Sequence, residues 1–321
     1  MNKTIKIGTR GSKLALWQAN LIKSKLTTIY PGTDFKIIEI KTQGDKILDT
    51  ALSKIGDKGL FTKELEDALL KNDIDLAVHS LKDLPTQLPE GLKIGGVIER
   101  ENPCDVLIIR DEKREKIAQN FDISLLPKDF KIGTTSLRRS AQIKHLNPQI
   151  NCSDLRGNVD TRIRKLKEAQ YDAIVLAYAG IKRLYGENLE KEFPDLIFHK
   201  LSPKDFLPAV SQGIIGIEIR ESDTETENLL SKITHEETSF HATAERSFLA
   251  TLEGGCQTPI GVYSENNKDN YIFHGMLAST DGKILIKESI TCKPNKDILS
   301  YENIGKILGE KILRQSRNYS L

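Results

Sequence analysis

The chain has 321 residues, of which 38% are hydrophobic and 29% are charged. This mix is typical of soluble globular proteins and excludes a largely disordered or membrane-spanning chain, and a prior of about 150 residues per domain predicts two or three domains. With 47 basic and 45 acidic residues the net charge is only +2, which argues against a broad nucleic-acid-binding face, so any anion site should be local.

Compartment and redox state are predicted from the start of the chain and from the cysteines. Met1 leads directly into an alternating, strand-like stretch without a leader-type segment, so we expect no export. No apolar run approaches the roughly 18 residues that a spanning helix needs, so we expect no membrane association. The cysteines, none of them in CxxC spacing, are Cys104, Cys152, Cys256 and Cys292. This spacing indicates neither a zinc site nor a disulfide framework, and favours a reducing cytoplasm.

The first hundred residues alternate between strand-like and helix-like periods, which is α/β patterning. The predicted elements are a strand at 5–9, a helix from Ser12, a strand at 35–42, a helix from Thr62 and a strand at 74–78. Ser12 is a candidate N-cap of the first helix. Leu14, Trp17 and Leu21 share one face of that helix, so we predict that Trp17 lies in the core.

A second alternation begins near Asp105 and predicts another α/β lobe. Its elements are strands at 105–109, 130–134, 150–155 and 172–177, with helices from about Ser136 and Asp160. The segment 206–220 is predicted to cross back and complete the first lobe. After about residue 233 we predict one helix, a surface loop at Ser264 to Asn270, strands at 271–280 and 283–291, and a last helix from about 297.

The predicted fold class is therefore α/β with three domains. Lobe one comprises 1–99 with 206–232, lobe two comprises 100–205, and a small α+β C-terminal domain comprises 233–321.

Arginines gather where two helices of lobe two begin. The two turns contain Thr134, Ser136, Arg138 and Arg139, and then Arg156, Gly157, Arg162 and Arg164. A strand that opens into a helix offers backbone N–H groups to an anion, and guanidinium groups bind carboxylates through two hydrogen bonds. Two such turns predict a polyanionic ligand, although solvated surface arginines are an alternative. Arg10 and Ser12 repeat the pattern in lobe one.

Asp83 follows an apolar strand, in the stretch HSLKDLP. Ligands of open α/β sheets bind at the carboxyl ends of strands. A side-chain carboxyl group there can protonate a leaving amine in its acid form or stabilise a developing cation in its ionised form. The competing interpretation is a turn-forming aspartate before Pro85.

Two further features are candidates for function. Cys256 lies in the glycine-rich stretch EGGCQTP. Its thiol could anchor a group covalently, or the side chain could be a small buried hydrophobe.

The polar stretch from Gln43 to Phe61 contains Lys54 and Lys58. It is either a lid that closes over an anion or a disordered loop.

Motifs along nearly the whole chain make it resemble the porphobilinogen deaminase (hydroxymethylbilane synthase) family. In chain order they are IGTRGSKLALWQ, QGDKILDT, KGLFTKELE, DLAVHSLKDLP, GTTSLRR, LRGNVDTR, AGIKRL, LPAVSQGIIGIE, AERSFL and LEGGCQTPIG. The cysteine motif and HSLKDLP are the most specific of these. The resemblance implies two lobes like those of periplasmic binding proteins, plus a small domain that holds the cysteine.

The same resemblance implies a reaction and its residues. A dipyrromethane cofactor would be joined by a thioether to Cys256, and four porphobilinogens would be deaminated and added to it before hydroxymethylbilane is released. Asp83 would assist ammonia loss and stabilise the azafulvenium and pyrrole N–H charges. The residues implied to bind the cofactor and substrate or to line the cleft are Arg10, Ser12, Ser80, Lys82, Thr134, Ser136, Arg138, Arg139, Arg156, Arg162, Arg183 and Gln212. The mobile loop would span about 43–60, and the enzyme would be a monomer that binds no nucleic acid or metal.

Departures from the family pattern are small. They are Cys104 in ENPCD, Thr135 in place of Ser, Ser211 in place of Gly, and Thr234 in place of Asn. One alternative function is a non-catalytic, bilobed anion-binding protein, which would need neither Cys256 nor Asp83. Another is a catalytically inactive relative, against which the retention of every motif residue argues.

Overall fold

The computed structural model describes residues 4–46, 60–116, 122–252 and 258–319. The strands are β1 (Thr4–Thr9), β2 (Asp34–Glu39), β3 (Leu76–Ser80), β4 (Leu92–Val97), β5 (Asp105–Arg110), β6 (Lys131–Gly133), β7 (Asn151–Ser153), β8 (Ala173–Ala177), β9 (Leu196–Lys200), β10 (Ile215–Arg220), β11 (Ile260–Asn267), β12 (Asn270–Ala278) and β13 (Leu285–Cys292). The α-helices are α1 (Lys13–Ile29), α2 (Gln43–Lys46), α3 (Lys63–Leu70), α4 (Leu137–Leu146), α5 (Val159–Lys167), α6 (Tyr178–Tyr185), α7 (Leu189–Glu192), α8 (Thr224–Ser231), α9 (Glu236–Thr251) and α10 (Ile298–Ser316).

The chain divides into two compact units, Met1–Glu101 with Ser211–Ala242, and Asn102–Val210 with Thr243–Leu321. The first unit contains a five-stranded sheet of order β2-β1-β3-β10-β4. β1 pairs in parallel with β2 and β3, whereas β10 is antiparallel to both of its neighbours. Apolar side chains of α1 pack on one face of this sheet and those of α3 on the other.

The second unit contains two sheets. A five-stranded sheet of order β7-β6-β8-β5-β9 has buried apolar clusters on both faces. A three-stranded antiparallel sheet of order β11-β12-β13 packs against α10. These three sheets and their helices confirm the predicted α/β class with a small C-terminal sheet-and-helix part. The bounds of the three predicted domains stay a prediction.

Two local predictions were wrong. Trp17 is 37% exposed, because the buried stripe of α1 is formed by Ala15, Ala19, Ile22 and Leu26. These residues recur every three or four positions. They define a face of the helix that lies next to the predicted face of Leu14, Trp17 and Leu21.

The predicted loop from Ser264 to Asn270 is largely strand, since β11 runs to Asn267 and pairs residue by residue with β12. Its polar composition reflects an antiparallel strand with a solvated face, which the run of polar letters hid.

The turn before β10 depends on a glycine. Gly213 has φ +89°, and a Cβ atom there would lie 2.3 Å from the carbonyl oxygen of Glu101. Gly213→Ala should therefore lower the free energy of unfolding by at least about 2 kcal/mol, measured by urea denaturation. Gly32→Ala is the control, since no atom lies within 4 Å of that Cβ position. Equal stability of the two variants would contradict the assignment of strain to Gly213.

Among the described residues, no helix is long and apolar enough to cross a bilayer.

Candidate active site

Sheet topology collects the predicted residues of the first unit at one edge. β1 and β3 are parallel, so the residues after their carboxyl ends, Arg10 and Lys82, lie at the same edge of the sheet. β10 is antiparallel to β3, with Ser80 opposite Ile215, so the start of β10 and the preceding Gln212 belong to that edge too. Residues that are far apart in the sequence therefore share one edge of the sheet, the edge at which open α/β sheets bind their ligands.

Asp83 lies on a short, firmly anchored turn. Leu81–Asp83 forms a 3₁₀ turn directly after β3, with the Leu81 N–H donating to Ile214 at 3.0 Å and the Leu84 N–H donating to Leu81 at 3.2 Å. Leu81 and Leu84 are buried in one apolar cluster, whereas Lys82 and Asp83 are exposed. Two buried leucines thus fix the backbone of the turn while its two charged side chains are accessible.

Hydrogen bonds also hold the neighbouring polar groups of this edge. Ser12 caps α1 by accepting a bond from the Ala15 N–H at 3.3 Å, as predicted. The side-chain amide of Gln18, one turn later, donates to the Ser80 hydroxyl at 2.9 Å. Gln212 is buried, and its backbone carbonyl accepts a hydrogen bond from Arg100 Nε at 2.9 Å.

The two ends of the predicted lid meet beside Arg10. The Gly44 N–H donates to the carbonyl of Leu60 at 2.8 Å, and the Arg10 guanidinium carbon lies 4.3 Å from the centre of the Phe61 ring. A guanidinium group over an aromatic face is attracted by the ring electrons, which orients Arg10. Lys54 and Lys58 lie outside the described residues.

In the second unit, strand pairing brings the two arginine turns together. β6 and β7 are parallel, with Gly133 opposite Ser153, so the segments that follow them are adjacent. The Thr134 N–H donates to Ser153 at 2.8 Å, and the Thr135 hydroxyl donates to Leu155 at 3.1 Å. Threonine at 135 therefore keeps the hydroxyl that serine would provide.

The first of these turns opens α4. Ser136 is the N-cap, and its hydroxyl accepts a bond from the Arg139 N–H at 3.4 Å, while its own N–H donates to the Thr134 hydroxyl at 3.2 Å. The structure therefore places two hydroxyls at a helix N-terminus, where the helix dipole favours anions.

Arg138 and Arg139 are buried around one carboxylate. Asp105, 0% exposed, accepts a bond from Arg138 Nη1 at 2.7 Å and from Arg139 Nη2 and Nε at 2.7 and 3.1 Å. Arg138 Nη1 also donates to the Leu207 carbonyl at 2.6 Å, and Arg139 Nη1 to Val175 at 3.0 Å. Two guanidinium groups against one carboxylate leave an excess positive charge in this cluster, which can bind a ligand carboxylate.

The pKa of Asp105 reflects the same cluster. Burial by itself would raise this pKa, but the charges of Arg138 and Arg139 and their hydrogen bonds outweigh burial and hold it well below its usual range. Asp105 is therefore ionised at neutral pH, and the cluster keeps its excess positive charge.

In the second arginine turn, basic side chains donate hydrogen bonds to backbone carbonyls. Gly157 has φ +110°, its carbonyl accepts a bond from Arg162 Nε at 2.7 Å, and the Arg156 carbonyl accepts one from Lys165 at 3.2 Å. Arg183 lies half-buried in the last turn of α6, which follows β8. All these arginines thus come from turns and helices that follow neighbouring strands of one sheet.

The strand that leads to Asp83, β3, contains a buried histidine that contacts a buried glutamate of β10. His79 Nε2 is 3.1 Å from Glu218 Oε2, and both side chains are almost fully buried. Burial raises the pKa of the nearby Glu66, and the charge of Glu218 adds to this.

Cys256 lies outside the described residues, so its role stays a prediction. The described cysteines, Cys104, Cys152 and Cys292, form no disulfide with one another, and burial raises the pKa of Cys152 and of Cys292. Cys152 and Cys292 therefore lack the thiolate character that a reactive cysteine needs. Among the described residues, no group of three or more His, Cys, Asp or Glu side chains could hold a metal ion.

Sequence reasoning missed Asp105 and Gln142, which organise the arginine cluster. Gln142 is 1% exposed, and its side-chain amide bonds both the N–H and the carbonyl of Leu207. A helical spacing of four from Arg138 was the available signal, because it places both side chains on one face of α4.

Two family models together match nearly the whole chain. "Porphobilinogen deaminase, dipyromethane cofactor binding domain" matches residues 5–228, and "Porphobilinogen deaminase, C-terminal domain" matches 239–314. A protein named porphobilinogen deaminase from Carboxydothermus hydrogenoformans is 50% identical over 98% of this chain and 94% of its own length. One of the same name from Chloroherpeton thalassium is 46% identical over 95% of this chain and 92% of its own length.

Solved structures give weaker likenesses. An ancestral cationic amino acid solute-binding protein has a TM-score of 0.43 and 14% identity, covering 71% of this chain and 87% of that one. The reduced regulatory domain of OxyR2 from Vibrio vulnificus has a TM-score of 0.42 and 14% identity, covering 73% and 96%. Likenesses of this size carry no argument about function.

Proposed function

Since this chain belongs to the porphobilinogen deaminase family, we propose that it deaminates porphobilinogen and joins four of the resulting pyrrole units head to tail. The product is hydroxymethylbilane, released with ammonia in tetrapyrrole biosynthesis, which makes the protein a transferase. We propose that it acts as a monomer in the cytoplasm, without nucleic acid or membrane as a partner.

The dipyrromethane cofactor, when bound, supplies a covalently held acceptor for the first incoming pyrrole. Its acetate and propionate groups suit the donor set of the second unit, where two buried guanidinium groups share one carboxylate beside a helix N-terminus. We assign its carboxylates to Thr134, Ser136, Arg138, Arg139, Arg156, Arg162 and Arg183. The assigned attachment atom is the sulfur of Cys256.

We assign the proton and charge chemistry to Asp83. Its exposed carboxylate lies on a rigid turn, so it can stay close to the aminomethyl group of the substrate while ammonia leaves. A carboxylate there stabilises the cation that develops on the pyrrole and accepts a bond from the pyrrole N–H. Arg10, Ser12, Ser80, Lys82 and Gln212 then hold the substrate carboxylates and line this edge, and Lys54 and Lys58 close over it.

The observation that carries the proposal is the excess positive charge of the Asp105–Arg138–Arg139 cluster. The two family models, which match residues 5–228 and 239–314, support the same function. A bilobed binding protein without catalysis is not favoured, because it explains neither Asp83 nor Cys256. An inactive relative is equally disfavoured by the retained motif residues.

Intact-protein mass spectrometry tests the proposal directly. We expect the purified protein to carry a mass excess of two linked pyrrole units and to give a colour with Ehrlich's aldehyde reagent. The Cys256→Ser variant should lack both, while Cys292→Ser should keep both. An unmodified thiol at Cys256 in enzyme exposed to substrate would instead favour the receptor interpretation.

A further inference from the structure

Beside the arginine cluster, a buried glutamine holds the backbone of one residue from both sides. The Leu207 N–H donates to Gln142 Oε1 at 2.8 Å, and Gln142 Nε2 donates to the Leu207 carbonyl at 3.0 Å. Arg138 Nη1 donates to the same carbonyl at 2.6 Å. We call this arrangement of Gln142, Arg138 and Leu207 the backbone clamp.

The clamped segment also contacts the C-terminal sheet. The Val262 N–H of β11 donates to the carbonyl of Pro208 at 3.0 Å. A Cβ atom at Gly261 would lie 3.0 Å from Leu207 Cβ and 3.1 Å from its carbonyl oxygen, so the glycine permits this close approach. Leu207 itself packs with Ala141 of α4 and with Met276 and Ala278 of β12.

The clamp therefore joins two parts of the second unit that the reaction uses together. One part is α4 with Arg138, which we assign to ligand carboxylates. The other is β11, whose first residue, Ile260, follows Cys256 by four positions. A chain that is tethered near β11 and held by its carboxylates at α4 can be bound well only if these two parts keep a fixed separation.

We propose that Gln142 is a positioning residue, which fixes Arg138 relative to the strand that follows the attachment cysteine by clamping the backbone of Leu207. This proposal rests on the proposed function, because it takes Cys256 as the tether and Arg138 as a carboxylate ligand. The bonds of Gln142 are all inside the protein, so it acts through Arg138 and not on the substrate.

The test compares Gln142→Met with a control variant that loses a buried amide just beyond the C-terminal end of the same helix. Methionine has nearly the volume of glutamine but replaces neither bond to Leu207. Asn147 is the matched control, since its buried amide donates to the carbonyls of Ser124 and Leu126 at 3.2 and 3.0 Å, just after the other end of α4. Asn147→Ala therefore also removes a buried amide clamp, but not the one that holds Leu207.

We expect Gln142→Met to keep the two-ring cofactor by intact mass and to raise the KM for porphobilinogen about tenfold, with kcat changed by less than about threefold. The physical reason is that misplaced carboxylate ligands weaken ground state and transition state alike. Asn147→Ala should lower the thermal midpoint comparably and leave KM within about twofold of wild type.

Two results would overturn the proposal, namely a wild-type KM in Gln142→Met, or an equal rise of KM in Asn147→Ala. If Gln142→Met does not fold, Gly261→Ala decides by the same criterion, because its added methyl group pushes Leu207 away from β11. Wild-type enzyme that lacks both cofactor and turnover would overturn the proposed function, and the positioning role with it. Normal cofactor content and turnover in the wild-type enzyme, together with an unchanged KM in Gln142→Met, would overturn the positioning role alone.

Discussion

Asp83→Asn should lower the turnover of porphobilinogen by about a hundredfold to ten-thousandfold. This is the range typical of losing a group that transfers protons and stabilises charge in the transition state. Asparagine matches aspartate in shape, and the turn is anchored by Leu81 and Leu84, so the fold should be unchanged. The amide can neither carry the negative charge nor donate an acidic proton to the departing ammonia.

The measurement is single-turnover release of ammonia, with cofactor content checked by intact mass. Asp73→Asn is the control, because it makes the same chemical change at an exposed position in the turn before β3. We expect this control to release ammonia at the wild-type rate. Wild-type ammonia release by Asp83→Asn, with full cofactor, would refute the assigned role.

Asp105→Asn should lower the free energy of unfolding by about 3–5 kcal/mol, as is typical when one partner of a buried ion pair is removed. Asparagine can still accept hydrogen bonds, but it leaves Arg138 and Arg139 side by side in the protein interior without a counter-charge. Urea denaturation at pH 7 gives the value. The control is Asp195→Asn, which breaks the exposed pair with Lys167 and should cost less than about 1 kcal/mol.

The difference in unfolding free energy between wild type and Asp105→Asn should also depend on pH. The arginines hold the pKa of Asp105 in the folded protein well below the unfolded value of 3.8. Its contribution is thus fully present above that unfolded value and is lost as the pH falls toward the lower, folded-state pKa. The stability difference between wild type and Asp105→Asn should therefore shrink below about pH 4. A difference that stays constant between pH 7 and pH 3 would show that the charge of Asp105 is not what stabilises the cluster.

Local signals predicted much of this fold. The alternating periods indicated the α/β class, and the serine caps at Ser12 and Ser136 mark the observed starts of α1 and α4. Capping depends on neighbours within three residues, so the sequence contains the whole signal. The face of α1 that is buried depends on what packs against it, and for that reason the prediction for Trp17 was wrong.

The contacts that hold the arginine cluster could not be predicted in the same way. Asp105 and Arg138 are 33 positions apart, and Gln142 and Leu207 are 65 apart. Such pairs are specified by strand order and by the path of the crossing segment, which composition and periodicity do not encode. The motifs marked residues that we assign to ligand binding, whereas the contacts of Asp105 and Gln142 are defined only in the folded chain.

The position of β10 has a consequence for synthesis on the ribosome. This strand lies between β3 and β4 in the first sheet, yet the first four strands of that sheet are complete by Val97. The growing chain must therefore carry an unfilled gap in its first sheet, with the unpaired edge of β3 exposed to other chains, until Arg220 has emerged. The five-stranded sheet of the second unit is built from the uninterrupted stretch β5 to β9, so it can form before β10 has been synthesised and the first sheet is complete.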